Sequence, residues 1–153
     1  MVRSLRIAAT LGLVASLVLG TGSVAAASGH HKIVDSGFIG LPSAGLVLAG
    51  VAGAGHAWAI ADGNAKLFED GRVKLDVEGL VLTPEGTNPV ANGSVVVSCN
   101  GGGAGNVVQS GPVPLSIPDG NATFRGRLPI PSPCLDPVVF FASPGGAWFA
   151  ATD

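Results

Sequence analysis

The chain of 153 residues is 47% hydrophobic and 12% charged, with 24 glycines, 11 prolines and 2 cysteines. Low charge with high apolar content excludes a disordered chain, and a glycine and proline load this heavy excludes a helical bundle, because both residues penalise helix interiors. Eight basic side chains against ten acidic ones exclude a nucleic-acid binder, which needs clustered Lys and Arg.

The first residues carry an export pattern. Arg3 and Arg6 form a short positive region and Ile7 to Leu19 an apolar run. Gly20-Thr21-Gly22-Ser23 breaks that run, and Ala25 and Ala27 fit a small-residue cleavage site before Ser28. The run of 13 residues is short for a membrane span, which takes about 20. The expectation is a cleaved signal peptide with a signal helix over residues 1–27, then one secreted domain over residues 28–153, with no stable membrane insertion after cleavage. The mature part keeps six basic and ten acidic residues, a net charge of −4. The expected location is secreted, extracellular or cell-wall associated. Export implies an oxidising compartment, so Cys99 and Cys134 are expected to form a disulfide. Closing a loop of about 35 residues is worth about 3.8 kcal/mol in the chain-entropy picture. A zinc site needs four ligands in close-spaced pairs, which Cys99 and Cys134 lack, so no metal or other cofactor is expected.

In chain order, His30 and His31 with Asp35 read as a solvated N-terminal tail. Leu46-Val47-Leu48 reads as a strand and Ala52 to Gly55 as a loop, and Ser43 to Gly55 is the least legible stretch. His56 to Ala61 reads as a strand ended by a turn at Asp62-Gly63. Residues 64–68 and 72–82 are expected to pair antiparallel around Asp70-Gly71. In the second of these, Val73, Leu75 and Val77 point one way and Lys74, Asp76 and Glu78 the other. Asn92-Gly93 reads as a turn before the continuous apolar run Val95 to Val97, which suggests a strand buried on both faces. Gly101 to Gly105 reads as a flexible hairpin end. Asp119-Gly120 separates Val113 to Ile117 from an alternating strand over residues 121–128, and Pro144-Gly145-Gly146 links Val138 to Ala142 with Ala147 to Ala151. No stretch of the mature part shows a helical apolar stripe. Turn signals every 8 to 12 residues point to an all-β, single-domain antiparallel β sandwich, Ig-like or similar, of about eight to ten short strands.

The chemistry-bearing residues are sparse. Gly50 to Gly55 lacks the G-x-G-x-x-G spacing of a dinucleotide loop, because position 52 is Ala, and Gly101 to Gly105 lacks the Lys-Ser/Thr of a phosphate loop. His56 has no nucleophile motif beside it and reads as a surface or strand-end histidine. Glu69, Asp70, Asp76 and Glu78 lie among Lys66, Arg72 and Lys74, which predicts cross-strand ion pairs rather than a sugar-cleaving carboxylate pair. Trp58 and Trp148 are each surrounded by small residues, which makes core packing the default. With Phe149 they are also the candidates for an apolar ligand groove.

The segments Asp70 to Val73, Val77 to Leu82, Gly86 to Val90, Val97-Ser98-Cys99, Leu128 to Cys134 and Ser143 to Ala150 resemble a group of small exported bacterial proteins of uncharacterised function. The proline-flanked Cys134 is the most distinctive part of that resemblance. It implies an exported single domain and carries no catalytic residues over.

These features predict an exported non-enzymatic β-sandwich module that binds a protein or cell-surface partner, with no catalytic residues. Two alternatives stand beside it. One is a carrier of an apolar small molecule, with Trp58, Trp148 and Phe149 lining a cleft. The other is a small protease inhibitor that presents Pro131, Ser132, Pro133, Leu135 and Asp136 on a loop braced by Cys134.

Overall fold

Residues 31–153 are described by a computed structural model, and they form strands, turns and loops with no helix. The expected signal peptide and its helix lie outside the described residues. The strands in order are β1 (Lys32–Gly40), β2 (Val47–Leu48), β3 (Val51–Ala52), β4 (Trp58–Ala59), β5 (Asp62–Phe68), β6 (Arg72–Glu78) and β7 (Val81–Leu82). They continue with β8 (Asn92–Ser98), β9 (Val107–Gln109), β10 (Val113–Pro114), β11 (Ala122–Arg127), β12 (Val138–Ala142) and β13 (Trp148–Thr152). The 13 strands exceed the expected eight to ten because five of them are only two residues long.

One antiparallel sheet runs β10-β8-β12-β13-β1-β5-β6-β11, and β9 lies beside β10 on the same edge of β8. The sheet curls over its apolar face until β10 comes next to β11, which makes the architecture sandwich-like. β5 and β6 form the expected hairpin, with Val73, Leu75 and Val77 buried and Lys74 and Glu78 exposed, as alternation dictates. Gly71 closes that hairpin at φ +81°, and a Cβ there would sit 2.1 Å from the Leu128 carbonyl oxygen.

Strands β8, β12 and β13 are buried on both faces. Residues in register share a face, so Val96 and Phe140 look one way and Val95 and Phe141 the other. The second face joins one core with Leu67, Val73, Leu75 and Val77. The first is covered by the β2–β3 ribbon, the stretch that was least legible. Ser98 Oγ donates to the Ala49 carbonyl at 2.6 Å, and Trp148 Nε1 donates to the Leu46 carbonyl at 3.1 Å. Gly53 bridges to Trp148.

Three local expectations change. The stretch after His31 is no tail: β1 sits in the middle of the sheet, between β13 and β5. Asp62-Gly63 opens β5 instead of making a turn. Asn92-Gly93 likewise opens β8, and Gly93 is required by packing, since a Cβ there would lie 2.4 Å from the Phe141 ring.

Cys99 and Cys134 are joined, 35 residues apart, with Cα atoms 4.9 Å from each other. The bond ties the end of β8 to the connection from β11 to β12, as expected. Alkylation without reductant should therefore add no label to the intact mass. Reduction should lower the unfolding free energy by about 2–4 kcal/mol in urea titrations. Gly71→Ala should cost about 2 kcal/mol or more, because Ala is strained at that φ and meets the Leu128 carbonyl.

Candidate functional site

The clearest opening in the fold lies on the edge formed by β9 and β10. Both pair with β8, but the register steps by one residue between them, from Val96 opposite Gln109 to Gly93 opposite Val113. A bulge around Ser110 takes up that step, with Ser110 N–H donating to the Val95 carbonyl and Ser110 Oγ accepting from Val95 N–H. Cys99 N–H donates to the Asn106 carbonyl and Leu115 N–H to the Ala91 carbonyl, which fixes the direction of the other groups. In an antiparallel ladder, bonded residues alternate. The main-chain groups of Val107 and Gln109 therefore point away from β8, and so do those of positions 112 and 114.

Positions 112 and 114 are both proline. Proline has no N–H, so this half of the edge cannot donate to a further strand. The turn that brings β11 back begins as a hairpin, with Ser116 N–H donating to the Asn121 carbonyl at 2.9 Å. It stops there, and β10 and β11 form no ladder. The β9 half has no such block. Among the described residues no strand pairs its outer side.

A concavity of about 400 Å³ lies along β9. Val96 and Val107 are part of its floor, Val51 and Ala52 come from the β2–β3 ribbon, and Gly145 and Ala147 come from the β12–β13 turn. Gln109 Nε2 donates to Ser94 Oγ at 2.9 Å and to the Pro144 carbonyl at 3.0 Å, which holds that turn in place. The groove is mostly apolar, with an open strand edge beside it. Such a place can take main-chain bonds from an extended segment and side chains at alternate positions. Sequence reading missed it. The signals that could have found it are the Pro-x-Pro at 112–114 next to an unblocked Val107-Val108-Gln109.

The residues singled out from sequence fall elsewhere. Trp58, Trp148 and Phe149 are core residues, with Trp148 only 1% exposed. The Trp58 and Phe149 rings pack 4.2 Å apart, and Trp148 lies 5.9 Å from Phe140. None of the three lines any of the four concavities of about 340–450 Å³. In the 131–136 loop, Ser132, Pro133, Leu135 and Asp136 are exposed and Pro131 is half-buried. Leu135 is 59% exposed, yet Asn100 N–H donates to its carbonyl at 2.7 Å and Asn100 Oδ1 accepts from its N–H at 2.9 Å. Its main chain is committed while its side chain is displayed. His56 is exposed, and His31 lies 3.4 Å from Glu69 at the surface. Among the described residues no group of three or more His, Cys, Asp or Glu side chains is placed to hold a metal ion.

Of the carboxylates and cations expected to pair, Asp70 and Arg72 pair with each other, Glu69, Asp76 and Lys66 take other partners, and Lys74 and Glu78 form no ion pair among the described residues. Asp70 holds Arg72 at 2.7 Å and Arg127 at 2.9 Å, and both Asp76 carboxylate oxygens accept from the single Arg125 Nη2, at 2.8 and 2.9 Å. Asp35 bonds Lys32. Partial burial pushes the Asp70 carboxyl up, but bonds from the Arg72 main chain and guanidinium, with the Arg127 charge, outweigh it and leave the group below its usual value. The Lys32 bond does the same for Asp35.

No protein-family model, curated protein or solved structure matches the chain. What the fold defines is an all-β, disulfide-bonded domain with an open strand edge at β9, and the disulfide fits a location outside the cytoplasm.

A carboxyl held low in the fold stabilises it above the unfolded pKa and loses that contribution as pH falls through the folded value. Stability should therefore hold from neutral pH down to about 5 and decline below about 4. Asp70→Asn should be less stable at neutral pH and decline less steeply, as read from urea midpoints across pH.

Proposed function

We propose that this protein is an exported, non-enzymatic binding module that docks an extended segment of a protein partner, in the medium or at the cell surface, along β9. The observation that carries this reading is the pairing of an unblocked strand edge at Val107 and Gln109 with the apolar groove beside it. The rest of that edge is disarmed by Pro112 and Pro114 in the way natural sheets protect exposed strands. An edge left open next to a groove is the arrangement that strand addition uses. The export pattern of residues 1–27, the resemblance to small exported bacterial proteins and the disulfide support the extracellular setting.

The test uses Val107→Pro. The Val107 N–H points outward, so proline there removes a docking donor and no internal bond. Wild-type protein immobilised against its own culture fluid and cell-wall fraction should capture a partner, and Val107→Pro should capture at least about tenfold less. Amide signals of Val107 and Gln109 should shift with the captured partner. Equal capture by a Val107→Pro protein of unchanged melting temperature would sink the reading.

A second reading, a protease inhibitor, draws on the exposed 131–136 loop, braced by the disulfide and by Asn100. It expects stoichiometric inhibition of a subtilisin-type or chymotrypsin-type serine endopeptidase, weakened by Asn100→Ala. Full enzyme activity at a several-fold excess of the protein would end it.

A further inference from the structure

The outward face of β1, β5, β6 and β11 carries all six basic residues of the mature chain: Lys32, Lys66, Arg72, Lys74, Arg125 and Arg127. Their placement breaks an ordinary rule of sheets. Lys66 stands opposite Lys74, and Lys74 stands opposite Arg125, so three cations form one row across three adjacent strands. Like charges directly opposite each other destabilise a sheet. The ends of the row are relieved, Lys66 by Asp35 at 4.0 Å and Arg125 by Asp76. Lys74, in the middle, has no carboxylate within 4.0 Å among the described residues.

Four residues further along the same face the rule is broken with the opposite sign. Asp62 stands opposite Glu78, both exposed, and neither has a cation within 4.0 Å among the described residues. The two violations lie about 13 Å apart along the strands. Between them runs the row Asn64, Asp76 and Thr123.

We propose that a second copy of this chain covers this face, related by a two-fold axis that runs across the strands at that middle row. Such an axis reverses the strand direction and keeps each strand over its own copy. Lys74 then lies over Glu78 of the second copy, and Lys66 over its Asp62, each contact occurring twice by symmetry. Stacked sheets lie about 10 Å apart, a gap that extended Lys and Glu side chains can bridge. Arg125 of one copy comes over Asn121 of the other, where a concavity of about 450 Å³ is lined by Asp76, Glu78, Asn121 and Thr123. A polyanion fits the face less well, because its acidic end would repel one. A self-complementary face neutralises both violations at once and leaves the β9 edge free.

Sedimentation velocity on the mature protein reads this directly. The protein should be dimeric at about 20 mM salt and dissociate at about 500 mM, where screening shortens to a few ångströms. Lys74→Glu and Glu78→Lys each place like charges across the axis, and each should weaken self-association at least about tenfold. Both positions are exposed, so the melting temperature should stay close to wild type. The double variant Lys74→Glu with Glu78→Lys exchanges the charges and should restore dimerisation to within about threefold of wild type. A monomer at low salt and millimolar protein overturns the proposal. So does a dimer indifferent to the single reversals, a double variant no better than the singles, or binding of a polyanion such as polyphosphate without self-association.

Discussion

The fold depends on one constraint: strands β8, β12 and β13 are apolar on both faces, and both faces must be covered. The curl of the sheet covers one face, by bringing Val95 and Phe141 into the same core as Leu67, Val73, Leu75 and Val77. It cannot cover the other. The β2–β3 ribbon does that, held by bonds from Ser98 and Trp148 to main-chain carbonyls at 49 and 46. The ribbon ends short of β9, and the space left between them is the groove.

The character of the β9–β10 edge follows from where prolines fall. A curled antiparallel sheet would close into a barrel if its edge strands could exchange bonds. Pro112 and Pro114 occupy the outward-pointing positions of β10, so the hairpin with β11 begins at Ser116 and Asn121 and goes no further. The same edge one bulge earlier has Val107 and Gln109 in the outward positions and remains able to pair. One edge strand thus carries a protected half and an available half, and the disulfide anchors the neighbouring end of β8.

The two surfaces that look equipped for contact differ in physical character. The β9 groove is apolar and offers main-chain bonds, which suits an extended segment of little sequence specificity. The outer face of β5 and β6 is charged, and its cations and anions are separated along the strand direction. The first does not depend on ionic strength to first order, whereas the second does. The two lie on different parts of the sheet and can act together.

The local sequence was enough to establish an antiparallel β domain, the β5–β6 hairpin around Gly71, the doubly buried run of β8, and the pairing of Cys99 with Cys134. These rest on period-two alternation, on turn chemistry and on there being a single pair of cysteines, all of which are properties of neighbouring residues or of composition. The place of β1 was not legible, because Lys32 to Gly40 does not alternate cleanly: it is paired on both sides, with β5 along one part and β13 along the other. The role of Ser43 to Gly55 was not legible either, since its small residues have meaning only against the Trp148 side of β13. Gly93 reads locally as a turn residue and is in fact required by the Phe141 ring. The candidate site was hidden for the same reason. Whether an N–H at position 107 or a proline at 112 faces a neighbour or solvent is set by which strand lies alongside, and that is decided only when the whole sheet has formed.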